Sequence, residues 1–247
     1  MKVVFDQAFY TVYTSDPAAE SGRIQAIVKA LPTDLPFVEP EPASYEQINL
    51  AHTADHIRMI KEQDLYDIAA LAAGGAITAA RVGLQEPAFG LIRPPGHHAS
   101  ADTAWGFCFF NNMAVALFVL KAAKQIQTAY VLDIDLHYGD GTVNILGDAD
   151  WVSIFNPAKN SRTAYIESIE NELAGVDADI IGISAGFDNH LADWGGLLAT
   201  EDYFAIGRLV RDQASRNNGG CFAILEGGYN HSVLGQNVTA LINGMSH

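Results

Sequence analysis

Basic residues are scarce in this chain. Fourteen lysines and arginines stand against 29 aspartates and glutamates, a formal net charge of −15 over 247 residues. A nucleic-acid binder needs a basic footprint to displace the counterions of the phosphates, and none is visible. The acid surplus suits cationic small molecules or lysine-bearing peptides as partners, and it serves equally as a solubility device. Cysteine is rare as well: Cys108 and Cys221 are too few for a disulfide framework, so a reducing cytoplasm is the expected compartment. The opening "MKVVFDQAFY" has an acid after five residues and no apolar h-region, unlike a secretory signal. No run approaches the roughly 18 apolar residues of a membrane span, so no membrane partner is expected. Linkers rich in Ser, Pro or Gly are missing too, and one domain over residues 1–247 is expected.

What is present is an alternation. Apolar runs at 2–5, 88–92, 129–135, 151–155, 179–186 and 221–228 read as strands. Helix-like stretches lie among them at 21–31, 45–63, 68–84, 114–126, 164–173 and 201–215, and the Pro-rich 38–47 reads as a loop. Near-continuous apolar strands separated by helices predict an α/β protein with a mostly parallel sheet covered on both faces. Ligands of such folds collect beyond the carboxyl ends of the strands. The polar stretches "RPPGHHA", "DLHYGDG", "GFDNH" and "EGGYN" each follow a strand, so four loops are expected to converge on one site.

The stretch "YVLDIDLHYGDGT" at 130–142 carries three acids and a histidine at the end of a core strand. Burying a carboxylate without a partner costs several kcal/mol, so something positive must meet it. Residues two apart on a strand share a face, which places Asp133, Asp135 and His137 together. An Asp-x-His pair can grip one divalent ion, and Asp188 on a neighbouring strand end would complete three ligands with an open position. An Asx turn accounts for Asp188 equally well. His97 and His98, behind Pro94, Pro95 and Gly96, can each donate a ring N–H to a separate carboxylate, with Asp133 and Asp140 as natural partners. Tyr229 follows Gly227 and Gly228, which let the backbone turn tightly against a ligand. Its phenol could serve a developing oxyanion or belong to an ordinary loop tyrosine. Gly106 and Phe107 fit a slot wall or a core aromatic cluster.

In this order, "RPPGHHA", "GFCFFNN", "DIDLHYGDGT", "SAGFD" and "LEGGYN" resemble the zinc-dependent histone deacetylase superfamily, which includes acetylpolyamine amidohydrolases, and the wording is closest to its class II and bacterial branch. The resemblance implies a three-layer α/β/α fold of arginase/deacetylase type. It implies a hydrolase that removes an acetyl or related acyl group from a peptide or small-molecule amine. Asp135, His137 and Asp188 would bind Zn2+, with iron(II) as the other native candidate. His98 would be general base and then acid, His97 its electrostatic partner, and Asp133 and Asp140 their supports. Tyr229 would polarise the carbonyl, Gly106 and Phe107 would line the acyl tunnel, and Gly227 and Gly228 would adjoin substrate. A structural K+ would sit on Asp133 and the carbonyls of Asp135 and His137, with Ser153 contributing. Arg23 and His52 stand where the family has an arginine and a histidine.

Two departures are visible. His137 and Asp188 lie only 51 positions apart, where the family places a long glycine-rich loop bearing a second tunnel wall. An open site, or a homodimer or higher oligomer that completes it, is therefore expected. Gly195 occupies the place of an acidic gatekeeper in polyamine-selective relatives, with Trp194 where proline is usual, so polyamine preference does not follow. Two other readings share the architecture. A binuclear manganese ureohydrolase needs Asp-x-His-x-Asp and a second late acid, and Gly139 and His190 stand there instead. A non-catalytic binding member would be expected to have lost a ligand, a histidine or the tyrosine, and none is lost.

Overall fold

A computed structural model of the chain describes residues 1–246. Strands β4 (Ala129–Asp133), β6 (Ile180–Ala185) and β7 (Gly220–Leu225) are buried along their whole length, as central parallel strands with both faces covered must be. With β1 (Lys2–Val4), β2 (Phe37–Val38), β3 (Ala88–Gly90) and β5 (Val152–Phe155) they form a sheet in the order β2-β1-β3-β7-β6-β4-β5. Every pairing in it is parallel. The expected mostly parallel sheet is thus wholly parallel among the described residues.

Period-two alternation sorts the strand side chains into two cores. Val131, Phe222 and Ile224 point to one face, while Leu132, Ile183 and Ala223 point to the other. The first face is covered by α2 (Tyr45–Ile48), α3 (Ala54–Glu62), α4 (Tyr66–Gly83), α5 (Asn112–Ala122) and α6 (Asp140–Leu146). The second is covered by α1 (Arg23–Ala30), α7 (Arg162–Leu173), α8 (Thr200–Arg216) and α9 (His231–Ser246). Three layers result, α/β/α, as expected.

Local chemistry sets the boundaries that periodicity alone misplaces. The stretch 45–63 is two helices, because Ser44 caps α2 through the amide of Gln47 and Thr53 starts α3 by accepting from the amide of His56. The 38–47 loop is entered from the short edge strand β2 and then docks on α4, where the Ala43 amide donates to the Ala70 carbonyl at 2.8 Å. Helices α6 and α9 do not emerge from the pattern of strands and loops, although Leu234, Val238, Leu241, Ile242 and Met245 lie at helical spacing and are buried.

Gly74 permits the docking of that loop. A Cβ on it would overlap the Glu41 carbonyl oxygen and approach the Ala43 amide at 2.7 Å. Glycine-to-alanine inside a helix normally gains about 0.5–1 kcal/mol, but forcing backbone apart loses about 1–3 kcal/mol. Gly74→Ala is therefore expected to lower the melting temperature by about 2–6 °C; a rise on thermal unfolding would show that the loop is not held against α4.

Candidate active site

The carboxyl ends of β4, β6 and β7 bring the acids together. Asp133 closes β4 opposite Ser184 of β6, and the chain runs on through Asp135 to His137. Asp188 follows the end of β6. Asp135 Oδ2 accepts the Gly227 amide at 2.9 Å, and Asp188 Oδ1 accepts the Leu136 amide at 3.0 Å. One oxygen of each carboxylate is thereby fixed, and the other turns toward His137 Nδ1. Asp135 Oδ1 lies 3.2 Å from that nitrogen and Asp188 Oδ2 3.1 Å. The Asp188 contact has ion-pair distance but not hydrogen-bond alignment, so Oδ2 is a buried oxygen without a donor. Asp135, His137 and Asp188 offer ligand atoms all within 4.8 Å of one another.

Electrostatics agrees with the geometry. Burial and the Asp135 charge push the Asp188 carboxyl up to about 6, and the Asp135 and Asp188 carboxylates beside Nδ1 push His137 up to about 10. Burial works against ionised Asp135 as well, but the His97 charge and the hydrogen bonds of His137 and Gly227 hold its carboxyl below the usual range. A buried acceptor without a donor costs about 1–3 kcal/mol, more when charged. Two oxygens and one nitrogen converging on one point, with a deficit of positive charge, fit a divalent cation. The manganese-pair alternative finds no support, because His190 accepts the Ala192 amide at 3.1 Å through Nδ1 and faces Thr200 through Nε2.

Both expected histidine pairings form. His97 Nδ1 lies 3.1 Å from Asp133 Oδ2, and His98 Nδ1 lies 2.6 Å from Asp140 Oδ1. The second nitrogen of His97 is 3.7 Å from Asp135 Oδ1. Burial opposes charge on His97, yet Asp135 and Asp133 outweigh it and raise the imidazole well above its usual range. For His98, burial and the neighbouring His97 charge win, and its pKa falls to about 4.

A pocket of about 100 Å³ opens over these groups, bounded by His98, Gly106, Phe107, Trp194, Gly227 and Tyr229. Gly106 and Phe107 both take left-handed backbone, φ 59° and 69°, and a Cβ on Gly106 would strike the His98 ring. The Phe107 ring meets Tyr229 edge-on at 6.0 Å, and Trp194 stacks on Tyr229 at 4.0 Å. Trp194 thus borders the same pocket as Phe107. Beyond His137 lies a second cavity, of about 500 Å³, beside Tyr138, Asn156, Lys159 and Gly196.

Two expected positions do not reach the site. Ser153 pairs in register with Tyr130, three residues before Asp133, and its exposed side chain borders a groove with Glu172 and Val176 at the opposite end of the sheet. Asn156, whose Oδ1 accepts the Gly139 amide at 2.9 Å, is the polar side chain that the end of β5 brings toward Asp133. Gly228 does not border the pocket. Its φ of 113° makes the turn, with its open face against Phe187 and Leu234.

Glu226 is a site residue that sequence reasoning misses. Buried at the end of β7, it accepts the amides of Gly96 and His97 at 2.7 and 3.2 Å, so it aligns the histidine pair, and burial lifts its carboxyl to about 7. An acid ending an otherwise apolar strand is the signal that could have found it. Arg23 donates to the carbonyls of Gly228 and Glu226 at 2.8 and 2.6 Å and sits 5.5 Å from the Tyr229 ring, fixing that loop from behind. His52 accepts the Asn111 amide at 2.8 Å and serves the loop before α5.

The comparisons with known proteins put this three-layer α/β/α chain among the deacetylases and amidohydrolases. The family model for the histone deacetylase domain matches residues 18–165 and 156–245, and the chain belongs to that family. A "Probable deacetylase" of Methanothermobacter thermautotrophicus is 30% identical over 302 aligned positions, covering 98% of this chain and 90% of that protein. A "Histone deacetylase-like amidohydrolase" of Pseudomonas aeruginosa is 29% identical over 264, covering 84% and 70%. The crystal structure of the HDA15 HD domain superposes with a TM-score of 0.84 at 23% identity, over 99% of this chain and 89% of that one, and shows the same fold. The two matched stretches overlap at 156–165, the connection after β5 and the first turn of α7.

A Cβ at Gly227 would lie 2.5 Å from Asp135 Oδ2 and 2.9 Å from Asp188 Cγ. Zinc is expected to raise the melting temperature of the wild type, because a ligand bound only by the folded state stabilises it. In Gly227→Ala that rise should shrink to less than about half at equal zinc; an undiminished rise would place the ion elsewhere.

Proposed function

We propose that this protein is a zinc-dependent amide hydrolase that removes an acetyl or related acyl group from an amine, of the acyl-lysine, acylpolyamine or small-amide class. The observation that carries this reading is the convergence of the Asp135, His137 and Asp188 ligand atoms within 4.8 Å, beside two His–Asp pairs and Tyr229. Zinc held by those three residues would supply Lewis acidity to the amide carbonyl and to water.

The remaining chemistry belongs to the side chains. With Nδ1 on Asp140, His98 keeps Nε2 as its free nitrogen, and a pKa near 4 leaves it neutral and able to accept a proton at neutral pH. His98 takes the proton from the attacking water and returns it to the departing amine. His97, charged between Asp133 and Asp135, orients water and offsets the negative charge of the intermediate. Burial and repulsion by Asp135 keep the Tyr229 phenol protonated far above its usual range, so it donates to the oxyanion. The cavity beyond His137 supports acceptance of acyl amides bulkier than acetyl.

Zinc-loaded protein is expected to release amine from an acetyl-lysine fluorogenic substrate. His98→Ala should lower kcat by about 10²–10⁴-fold and Tyr229→Phe by about 10²–10³-fold, each with the fold retained by circular dichroism. Full activity in His98→Ala, or in chelator-treated protein, would contradict the assignment. Aryl amides should be hydrolysed within about tenfold of acetyl in kcat/KM, a difference of ~1.4 kcal/mol in barrier; strict acetyl preference would show the larger cavity plays no part.

A further inference from the structure

Trp105 stands at the pocket mouth with 54% of its surface exposed. A rim tryptophan would ordinarily need no account beyond solvent contact. This one makes two contacts with a single pair of residues. Its indole Nε1 donates to Asp140 Oδ2 at 2.8 Å, and its ring lies 3.8 Å from the His98 ring, with 31° between the planes. The other Asp140 oxygen is the one that faces His98 Nδ1.

The two His–Asp pairs differ in how their acids are held. The Asp133 side chain is 1% exposed, whereas that of Asp140 is 44% exposed. The first carboxylate is fixed away from water, one oxygen on His97 and the other accepting the Asp135 amide at 3.2 Å. Water competes for the second, and its rotamers remain open unless something holds the outer oxygen. The left-handed turn at Gly106 and Phe107 folds the chain back so that Trp105 lies on His98 while Phe107 turns to Tyr229.

We propose that Trp105 is a positioning residue for the His98–Asp140 pair: the indole N–H pins the outer oxygen of Asp140, and the ring shields His98, so that Nδ1 stays engaged and Nε2 stays aimed into the pocket. The catalytic meaning of this clamp rests on the reading of His98 as general base. Trp194 is the internal comparison, equally exposed at 53% but stacked on Tyr229.

The test has one readout that needs no turnover and one that does. In 1H–15N NMR of the whole chain, the Trp105 indole resonance should move in Asp140→Ala. The His98 Nδ1 proton should exchange with water at least about tenfold faster in Trp105→Phe, which keeps a ring over His98 and removes only the donor. In kinetics, Trp105→Phe should lower kcat about tenfold with KM changed less than about twofold. In the Asp140→Ala background the same change should lower kcat less than about twofold, while Trp194→Phe keeps its full effect there. An indole resonance indifferent to Asp140, unchanged His98 exchange, an effect on KM alone, or full additivity with Asp140→Ala would overturn the proposal. Absence of any amide hydrolysis in the wild type would defeat the general-base reading, and the two NMR readouts would still decide the clamp.

Discussion

Negative charge buried where parallel strands end is the constraint around which this molecule is arranged. Asp133, Asp135, Asp188 and Glu226 lie within a few residues of the carboxyl ends of three adjacent central strands, all buried. Each is met by a specific donor rather than by solvent: an imidazole for Asp133, and backbone amides for the other three. Those contacts fix the carboxylates and leave Asp135 Oδ1 and Asp188 Oδ2 facing the same nitrogen of His137. The architecture stores an unmet demand for positive charge at one point, and the fold supplies the rigidity that keeps the demand unrelaxed.

Glycine makes this crowding possible. Gly139, Gly186 and Gly227 each press their Cα against a carboxylate, where any Cβ would collide with Asp133 or Asp135. The paired arginines work from behind. Arg23 and Arg93 are buried, and both spend their donors on main-chain carbonyls rather than on acids, so the loops that carry the histidines and Tyr229 are fixed without neutralising the site. Charge-assisted hydrogen bonds to neutral carbonyls suit that purpose, since they order the backbone and leave the acidic cluster for its cation.

Much of this is legible in the sequence, because the key spacings are local. Residues two apart on a strand share a face, so spacing alone groups Asp133, Asp135 and His137, and adjacent His97 and His98 imply two separate acids. What stays hidden depends on register and tertiary approach. Ser153 lies on the strand next to β4 but three residues out of register with Asp133, a shift that sequence cannot specify. "DLHYGDG" reads as a loop, yet Asp140, expected as the partner of a histidine, is also the first residue of helix α6. Along the chain Trp194 is only a departure from a pattern and Trp105 only the start of an aromatic stretch. In the folded molecule each lies over a ring of the proposed machinery.

The deacetylase family is established by the match over nearly the whole chain. The amides that hold Asp135 and Asp188 come from Gly227 and Leu136, so the β5–α7 connection beside His137 takes no part in fixing the acidic cluster. The central claim is that one divalent ion among Asp135, His137 and Asp188 makes the site active. Titrating metal-free protein with zinc while following amide hydrolysis tests it most directly. Activity rising linearly and breaking at one equivalent per chain, with no such rise in Asp188→Ala, is the result predicted here; a break at two equivalents, or hydrolysis that ignores zinc, would contradict it.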